Sequence, residues 1–299
     1  MSQEQVAKVA RYAGDGHWFR GATHTHSTAS DGALPPAEMH RLYGEAGYDF
    51  LFLTDHDVTS DLESLGGPIL GLNAAELSQA PGEPHYHLLA YGISRQVPRS
   101  LALPEKIEAI HGEGGLAVFA HPYWSGTPLD YFAGQDIDGV EIYNHAANWL
   151  NGKGLSLPHW ETLLQDRPFL TAFAGDDDHH QPHEPALWRR AWVMAKARTL
   201  DKPSIMESLR RGDFYATQGP RFESIDLDGD AVRIRTSEVR EIRLVGRGSA
   251  GKRLITPDPE ATFTGAEFSL KGWNGFARLE IMDAQGRLAW SNGLHRPEA

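Results

Sequence analysis

Over the first two-thirds of the chain, apolar runs of strand length alternate with stretches of helical periodicity, and most of the runs end in polar residues. Residues 17–24 read as a first strand that ends in His24. Residues 33–47 follow as a helix, with Pro35 and Pro36 suited to a helix start and Met39, Leu42, Tyr43 and Ala46 at helical spacing. Residues 48–54 carry the unbroken apolar run Phe50-Leu51-Phe52-Leu53, as in a strand buried on both faces, and lead directly into Asp55, His56 and Asp57. The run at 68–75 delivers Glu76, and the strand at 85–92 carries histidine near its start. The run at 115–120 delivers His121, the strand at 137–144 carries Glu141, and the run at 168–175 delivers Asp176 to His180. Helices are expected at 104–111, 158–165 and 202–211, with a last strand at 190–195. Strand–helix alternation predicts an α/β fold with a mainly parallel sheet, and the number of units predicts a barrel. Polar residues recurring at strand C-termini are what a barrel places around an active site.

After Gly219-Pro220 the pattern changes to period-two alternation, as at 231–235, 241–245 and 277–281, separated by turns such as Asp228-Gly229 and Gln285-Gly286. This predicts a small antiparallel β-sandwich. The expected organisation is a lead-in over 1–16, a barrel over 17–220 and a β domain over 221–299.

Composition narrows the chemistry. The chain has 299 residues, 15 histidines and no cysteine, so disulfides, thiolate metal sites and cysteine nucleophiles are excluded. A metal site must be built from imidazole and carboxylate. A formal charge of −12 opposes general nucleic-acid binding, which gains affinity by neutralising phosphates. No apolar run reaches the ~18 residues of a membrane helix and no secretory leader is visible, so a cytoplasmic location is expected. Every histidine except His295 lies before residue 184, which places the chemistry in the first domain.

His24 and His26, two apart at a strand end, point to one face and can share a cation. With them the candidate ligands are Asp31, His56, Glu76, His87, His121, Asp177 and His179. One ion does not use nine ligands, so two or three divalent ions are expected, of zinc, manganese or iron, with Glu76 and Asp177 as bridges. His85 is the alternative to His87, and a slip of one residue would put His180 in place of His179.

The ordered motifs His24-Thr25-His26 with Asp31-Gly32, Thr54-Asp55-His56, Ala75-Glu76, His87-Leu88-Leu89-Ala90-Tyr91-Gly92, Ala120-His121-Pro122 and Gly175-Asp176-Asp177-Asp178-His179 resemble those of the PHP (polymerase and histidinol phosphatase) family. The resemblance spans about residues 17–215. It implies a distorted seven-stranded (β/α) barrel with a dinuclear or trinuclear metal centre. Carried over by motif, His24, His26, Glu76 and Asp177 would hold one metal, Glu76, His87 and His121 a second, and Asp31, His56 and His179 a third. His159-Trp160-Glu161, Ala191-Trp192-Val193-Met194, residues 209–215 and Ala289-Trp290-Ser291-Asn292 are similar to the carbaryl-hydrolase-like branch, which also has a C-terminal β domain.

The expected activity is hydrolysis by a metal-bridging hydroxide held at Glu76 and Asp177, with phosphoester cleavage first and carbamate or carboxylic ester cleavage as the alternative. The substrate is expected to be a small anionic or ester molecule. A non-catalytic metal-binding barrel is the reading outside catalysis. The amidohydrolase superfamily also begins with H-x-H but commonly uses a carboxylated lysine on a middle strand. Between residues 20 and 195 this chain has only Lys106 and Lys153, on a helix and in a glycine loop. Asp55, Glu141 and Asp176 are candidates for the shell behind the ligands, Asp55 as a partner of an imidazole. Asn144, His145, His180 and Arg190 are candidates for substrate contact, whereas Trp124, Trp149 and Trp160 are read as packing residues.

Overall fold

A computed structural model describes Tyr12 and residues 15–184, 187–258 and 260–294. His295, and the expected lead-in apart from Tyr12, Asp15 and Gly16, lie outside these. The strands are β1 (His17–Ala22), β2 (Phe50–Leu53), β3 (Leu70–Ser78), β4 (His87–Tyr91), β5 (Leu116–Ala120), β6 (Gly139–Asn144), β7 (Thr171–Gly175), β8 (Trp192–Ala197), β9 (Phe214–Thr217), β10 (Phe222–Asp228), β11 (Ala231–Val239), β12 (Glu241–Gly246), β13 (Gly251–Ile255), β14 (Phe263–Ser269), β15 (Ala277–Met282) and β16 (Leu288–Ser291). The helices are α1 (Pro36–Glu45), α2 (Leu103–Gly112), α3 (Pro122–Ser125), α4 (Leu129–Ala133), α5 (His145–Asn151), α6 (Leu157–Leu164) and α7 (Lys202–Arg211).

The chain is an α/β protein built on one 13-stranded sheet, with β1 to β7 in sequential order at one side. Pairs β1–β2, β2–β3, β5–β6 and β6–β7 are parallel, but β4 is antiparallel to both neighbours. The 79–86 connection between β3 and β4 is shorter than the dozen or so residues a parallel crossover needs, so β4 must return in the opposite direction. This reversal puts the start of β4 beside the exits of its neighbours.

Both faces of these strands are buried, which explains their near-continuous apolar sequences. On one face Phe50, Phe52, Leu72, Leu89, Tyr91, Val118, Phe173 and Val193 pack together. On the other, Leu77, Leu88, Phe119, Val140 and Ile142 pack with Ile107 and Ile110 of α2 and Trp160 and Leu163 of α6. Helix α1 covers β2 through Met39 and Tyr43 against Leu51 and Leu53.

Beyond β1 the sheet continues through antiparallel β8 and β9 into β16, β15, β12 and β13. A second antiparallel sheet, β10-β11-β14, lies over that end, with Phe222, Ile225, Val232 and Ile234 packed against Ile242, Leu244, Leu279 and Ile281. Asn292 ties the segment after β16 back to the α/β part. Its Oδ1 accepts from the Ala172 N–H at 2.6 Å, and its Nδ2 donates to the carbonyls of Phe214 at 2.8 Å and Gly212 at 3.3 Å, all buried. Among the described residues no helix is long and apolar enough to cross a membrane.

Replacing Asn292 with Ala strands those buried backbone groups and is expected to cost about 1–3 kcal/mol. Thermal unfolding of Asn292→Ala checks this, and a midpoint equal to that of the parent would contradict it.

Candidate metal centre

The exits of β1, β2 and β3 are laced together by hydrogen bonds that fix where their side chains point. Thr54 Oγ1 accepts from the Thr25 N–H and donates to the Thr25 carbonyl, both at 3.0 Å. Beyond β2 the Glu76 N–H donates to the Asp55 carbonyl at 3.1 Å, and the Asp57 N–H donates to the Glu76 carbonyl at 2.8 Å. At the other edge, β7 meets β1: the Asp177 N–H donates to the His24 carbonyl at 3.0 Å, and the His26 N–H to the Asp178 carbonyl at 2.9 Å. Gly175 permits this approach, since a Cβ there would stand 2.5 Å from the His24 Cβ and 2.6 Å from Glu141 Oε1.

Glu76 lies at the middle of the converging side chains and is fully buried. Its Oε2 is 3.2 Å from each of His24 Nε2, His26 Nε2 and His56 Nδ1. Its Oε1 is 2.8 Å from His87 Nδ1 and 3.1 Å from His121 Nε2. Asp177 Oδ1 is 3.3 Å from His24 Nε2 and 3.0 Å from His26 Nε2. Asp31, half exposed, is 3.3 Å from His179 Nε2 and 3.6 Å from both His26 Nδ1 and His56 Nε2. Thus all nine candidate ligands meet on one face. His87 rather than His85 reaches Glu76, because β4 turns His87 inward while His85 Nδ1 sits 3.1 Å from the Ser125 carbonyl. His179 rather than His180 reaches Asp31; His180 instead pairs with Asp178 at 3.3 Å.

The donor atoms suit a cation. Nε2 of His24, both ring nitrogens of His26, Oε2 of Glu76 and Nδ1 of His87 are buried with no hydrogen-bond partner of proper geometry. Such groups are costly to bury unless something satisfies them. Four groupings bring one atom per residue within 4.8 Å of one another: His24, His26, Glu76 and Asp177; His56, Glu76 and His87; His26, Asp31, His56 and His179; and His24, His121 and Glu141. Imidazole with carboxylate is the donor set of zinc, manganese and iron. Two of the candidate ligands, His121 (φ 28°) and Asp177 (φ 56°), have left-handed backbones, a strain that clusters at functional sites.

Without a cation the carboxylates draw protons onto the rings. Burial opposes charging of His26, but Asp177 and Glu76 outweigh it and raise its pKa to about 9. Burial likewise works against the Glu76 and Asp177 carboxylates, yet the surrounding histidines hold both well below the usual carboxylate range. The His179 hydrogen bond does the same for Asp31.

Behind the ligands, Glu141 does three things: Oε1 holds His24 Nδ1 at 2.9 Å, while Oε2 accepts from the His121 N–H at 3.0 Å and from Asn144 Nδ2 at 2.9 Å. His179 Nδ1 donates to the Asp177 carbonyl at 3.0 Å, which leaves Nε2 free toward the site. Among the described residues Asp55 bonds to no imidazole. It accepts from the Ser27 N–H at 2.7 Å and from the hydroxyls of Ser27 and Ser30, bracing the loop that carries Asp31, and from the Ser60 hydroxyl on its own loop. Asp176 accepts from the backbone N–H groups of Arg189, Arg190 and Ala191, and burial pushes its carboxyl up to about 8.

A cavity of about 540 Å³ opens onto the ligands, lined also by Trp124, Ala147, Trp149, Leu150, His183 and Leu187. None of the four expected substrate contacts lines it. Asn144 is buried, its amide spent on Glu141 and on Asp177 at 3.2 Å; His145 faces the Tyr143 hydroxyl at 3.0 Å; His180 pairs with Asp178; and Arg190 presents its backbone to Asp176. For Asn144, His145 and His180 these side-chain bonds set the direction in which each points. Trp149, read as packing, is instead 48% exposed on this cavity. Lys106 is buried elsewhere, with Nζ 2.6 Å from the Ser78 carbonyl, and neither it nor Lys153 lines the cavity. A second cavity of about 610 Å³ lies at the opposite ends of β5 to β7 and contains none of the nine ligands.

No protein-family profile matches the chain. An uncharacterized protein of Methanocaldococcus jannaschii is 27% identical over 125 residues, 38% of this chain and 68% of that protein. A 5'-3' exoribonuclease of Haemophilus influenzae is 27% identical over 134 residues, 42% of this chain, and the match spans about half, 48%, of that enzyme. A solved two-domain protein of Bacteroides vulgatus, described as containing a predicted PHP-like metal-dependent phosphoesterase, aligns over 96% of this chain and 99% of its own, with 18% identity and a TM-score of 0.50. This chain therefore shares with that protein an α/β fold of one large central sheet and a second antiparallel sheet.

Glu141→Gln keeps the shape of the side chain but removes the charge behind His24, and is expected to weaken metal affinity by about 10- to 100-fold while the fold survives. Competition with a metal-sensitive dye checks this; unchanged affinity would show that Glu141 does not act on the centre.

Proposed function

We propose that this chain is a metal-dependent hydrolase of the PHP family, with phosphoester cleavage as its reaction. The observation that carries the reading is the buried Glu76 carboxylate facing five imidazole nitrogens, with its Oε2 and four ring nitrogens around it lacking partners. The architecture shared with the Bacteroides vulgatus protein and the partial similarity to the Haemophilus influenzae exoribonuclease, both tied by name to phosphoester chemistry, support it. In this reading residues 17–220 form the distorted barrel and 221–299 the β domain, in the manner of the carbaryl-hydrolase-like branch.

His24, His26, Glu76 and Asp177 would hold one divalent ion, Glu76, His87 and His121 a second, and Asp31, His56 and His179 a third. Bound there, the ions would lower the pKa of water and stabilise charge on the attacking and leaving oxygens. The protein's part is orientation. Glu76 and Asp177 bridge the donor groups, Glu141 fixes the rings of His24 and the backbone of His121, and Asp55 anchors the loop bearing Asp31. Asn144 holds Asp177 by donating to it from beneath. No side-chain nucleophile is required. A carbamate or carboxylic ester is the second reading, favoured by the absence of Lys and Arg among the described residues that line the cavity.

Metal-loaded and chelator-treated protein should be assayed on bis(4-nitrophenyl) phosphate, 4-nitrophenyl phosphate, an aryl carbamate and an aryl acetate. Phosphoester cleavage is expected to vanish on chelation, return with added metal and fall to background in Asp177→Asn. Turnover of the carbonyl substrates alone would select the second reading, and metal-independent turnover would contradict both.

A further inference from the structure

We infer that the metal-site cavity selects a small, singly charged or neutral ester with an apolar, ring-sized group next to the scissile bond, and that Trp149 and Leu150 on α5 are its specificity-determining residues. The inference rests on the hydrolase reading above and deepens it. Helix α5 begins directly at the end of β6, where Asn144 Oδ1 caps it by accepting from the Ala147 N–H at 2.8 Å. The cap fixes the helix beside the centre, and Ala147, Trp149 and Leu150 then contribute to the cavity wall. Trp149 and Leu150 are 48% and 60% exposed, an arrangement that leaves large apolar surface in water unless a ligand covers it.

The apolar surface reaches the ligands themselves. The Trp124 ring stands edge-on to His121 with centroids 5.0 Å apart, and 6.3 Å from His87. Leu187 continues the wall on the other side of the chain's path, from the segment that follows His179. An aromatic or alkyl group attached to the reacting centre would therefore lie among Trp124, Trp149, Leu150 and Leu187.

Charge excludes the competing substrates. No Lys or Arg is among the described residues that line the cavity, whereas Asp31 and Glu184 are. A nucleic-acid strand gains affinity from successive phosphate contacts to Lys and Arg, and the described residues of this cavity include neither. A terminal phosphate dianion would find only the metal ions to balance it. The volume of about 540 Å³ suits a small molecule rather than a polymer.

The test compares diphenyl phosphate with dimethyl phosphate, which carry the same charge and differ in the apolar group. Binding to the metal-loaded full chain is read by calorimetry, with 4-nitrophenyl ester turnover measured in parallel. Diphenyl phosphate is expected to bind about tenfold tighter or more, the preference falling to about threefold or less in Trp149→Ala with Leu150→Ala and returning in Trp149→Phe. Equal affinities, a preference unchanged in the double variant, or binding of neither probe would overturn the inference. Calorimetry needs no turnover, so a protein that binds diphenyl phosphate selectively but cleaves nothing would sink the hydrolase reading alone.

Discussion

A carboxylate shut away from water at the end of β3 sets the terms for everything around it. Glu76 is fully buried, and a lone buried carboxylate would take up a proton or pull the structure apart. It instead faces five imidazoles at 2.8–3.2 Å, all delivered by other strands or loops. Those rings repel one another once protonated, and several of their nitrogens have no hydrogen-bond partner of proper geometry among the described residues. Divalent cations between the rings and the two central carboxylates resolve both problems at once, which is why the centre is read as a metal site rather than as a salt-bridge network.

The fold serves that arrangement by bringing strand ends to one place and locking them there. Parallel strands present their exits together, and β4 joins them only because it runs backward, so its first residue rather than its last reaches Glu76. Backbone bonds between the segments that follow β7 and β1 bring Asp177 beside His24 and His26. Positions are then refined one layer out. Glu141 and Asn144, both on β6, control His24, His121 and Asp177, while Asp55 controls the loop of Asp31 through Ser27 and Ser30. The left-handed backbones of His121 and Asp177 are tolerated because these bonds over-determine them.

Much of this was legible in the sequence because burial on both faces writes an unbroken apolar run, and the polar residue ending each run marks the functional edge. The nine candidate ligands, which the fold brings together on one face, could be collected in that way. The direction of β4 could not, since an apolar strand reads alike forward or reversed and only the length of the 79–86 connection distinguishes them. The continuity of the long sheet through β9 and β16 rests on pairing between residues some seventy positions apart, such as Thr217 with Ala289, which no local pattern encodes. Substrate contacts were the least legible. Asn144, His145, His180 and Arg190 were chosen for lying at strand ends, but the side chains of the first three bond to Glu141, Tyr143 and Asp178, Asp176 takes the Arg190 backbone N–H, and none of the four lines the cavity. Trp149 carried a usable signal: a tryptophan followed by leucine in a short helix of polar residues and small alanines has no apolar stripe to join.

The central claim is that Glu76 and Asp177 hold a shared centre of more than one metal ion. Crystals of metal-loaded protein, with diffraction recorded on either side of the metal absorption edge, test it most directly. The account predicts at least two anomalous peaks flanking the Glu76 carboxylate, within coordination distance of His24, His26, His87 and His121. A protein with no peak there, or with one ion bound away from Glu76, would contradict it.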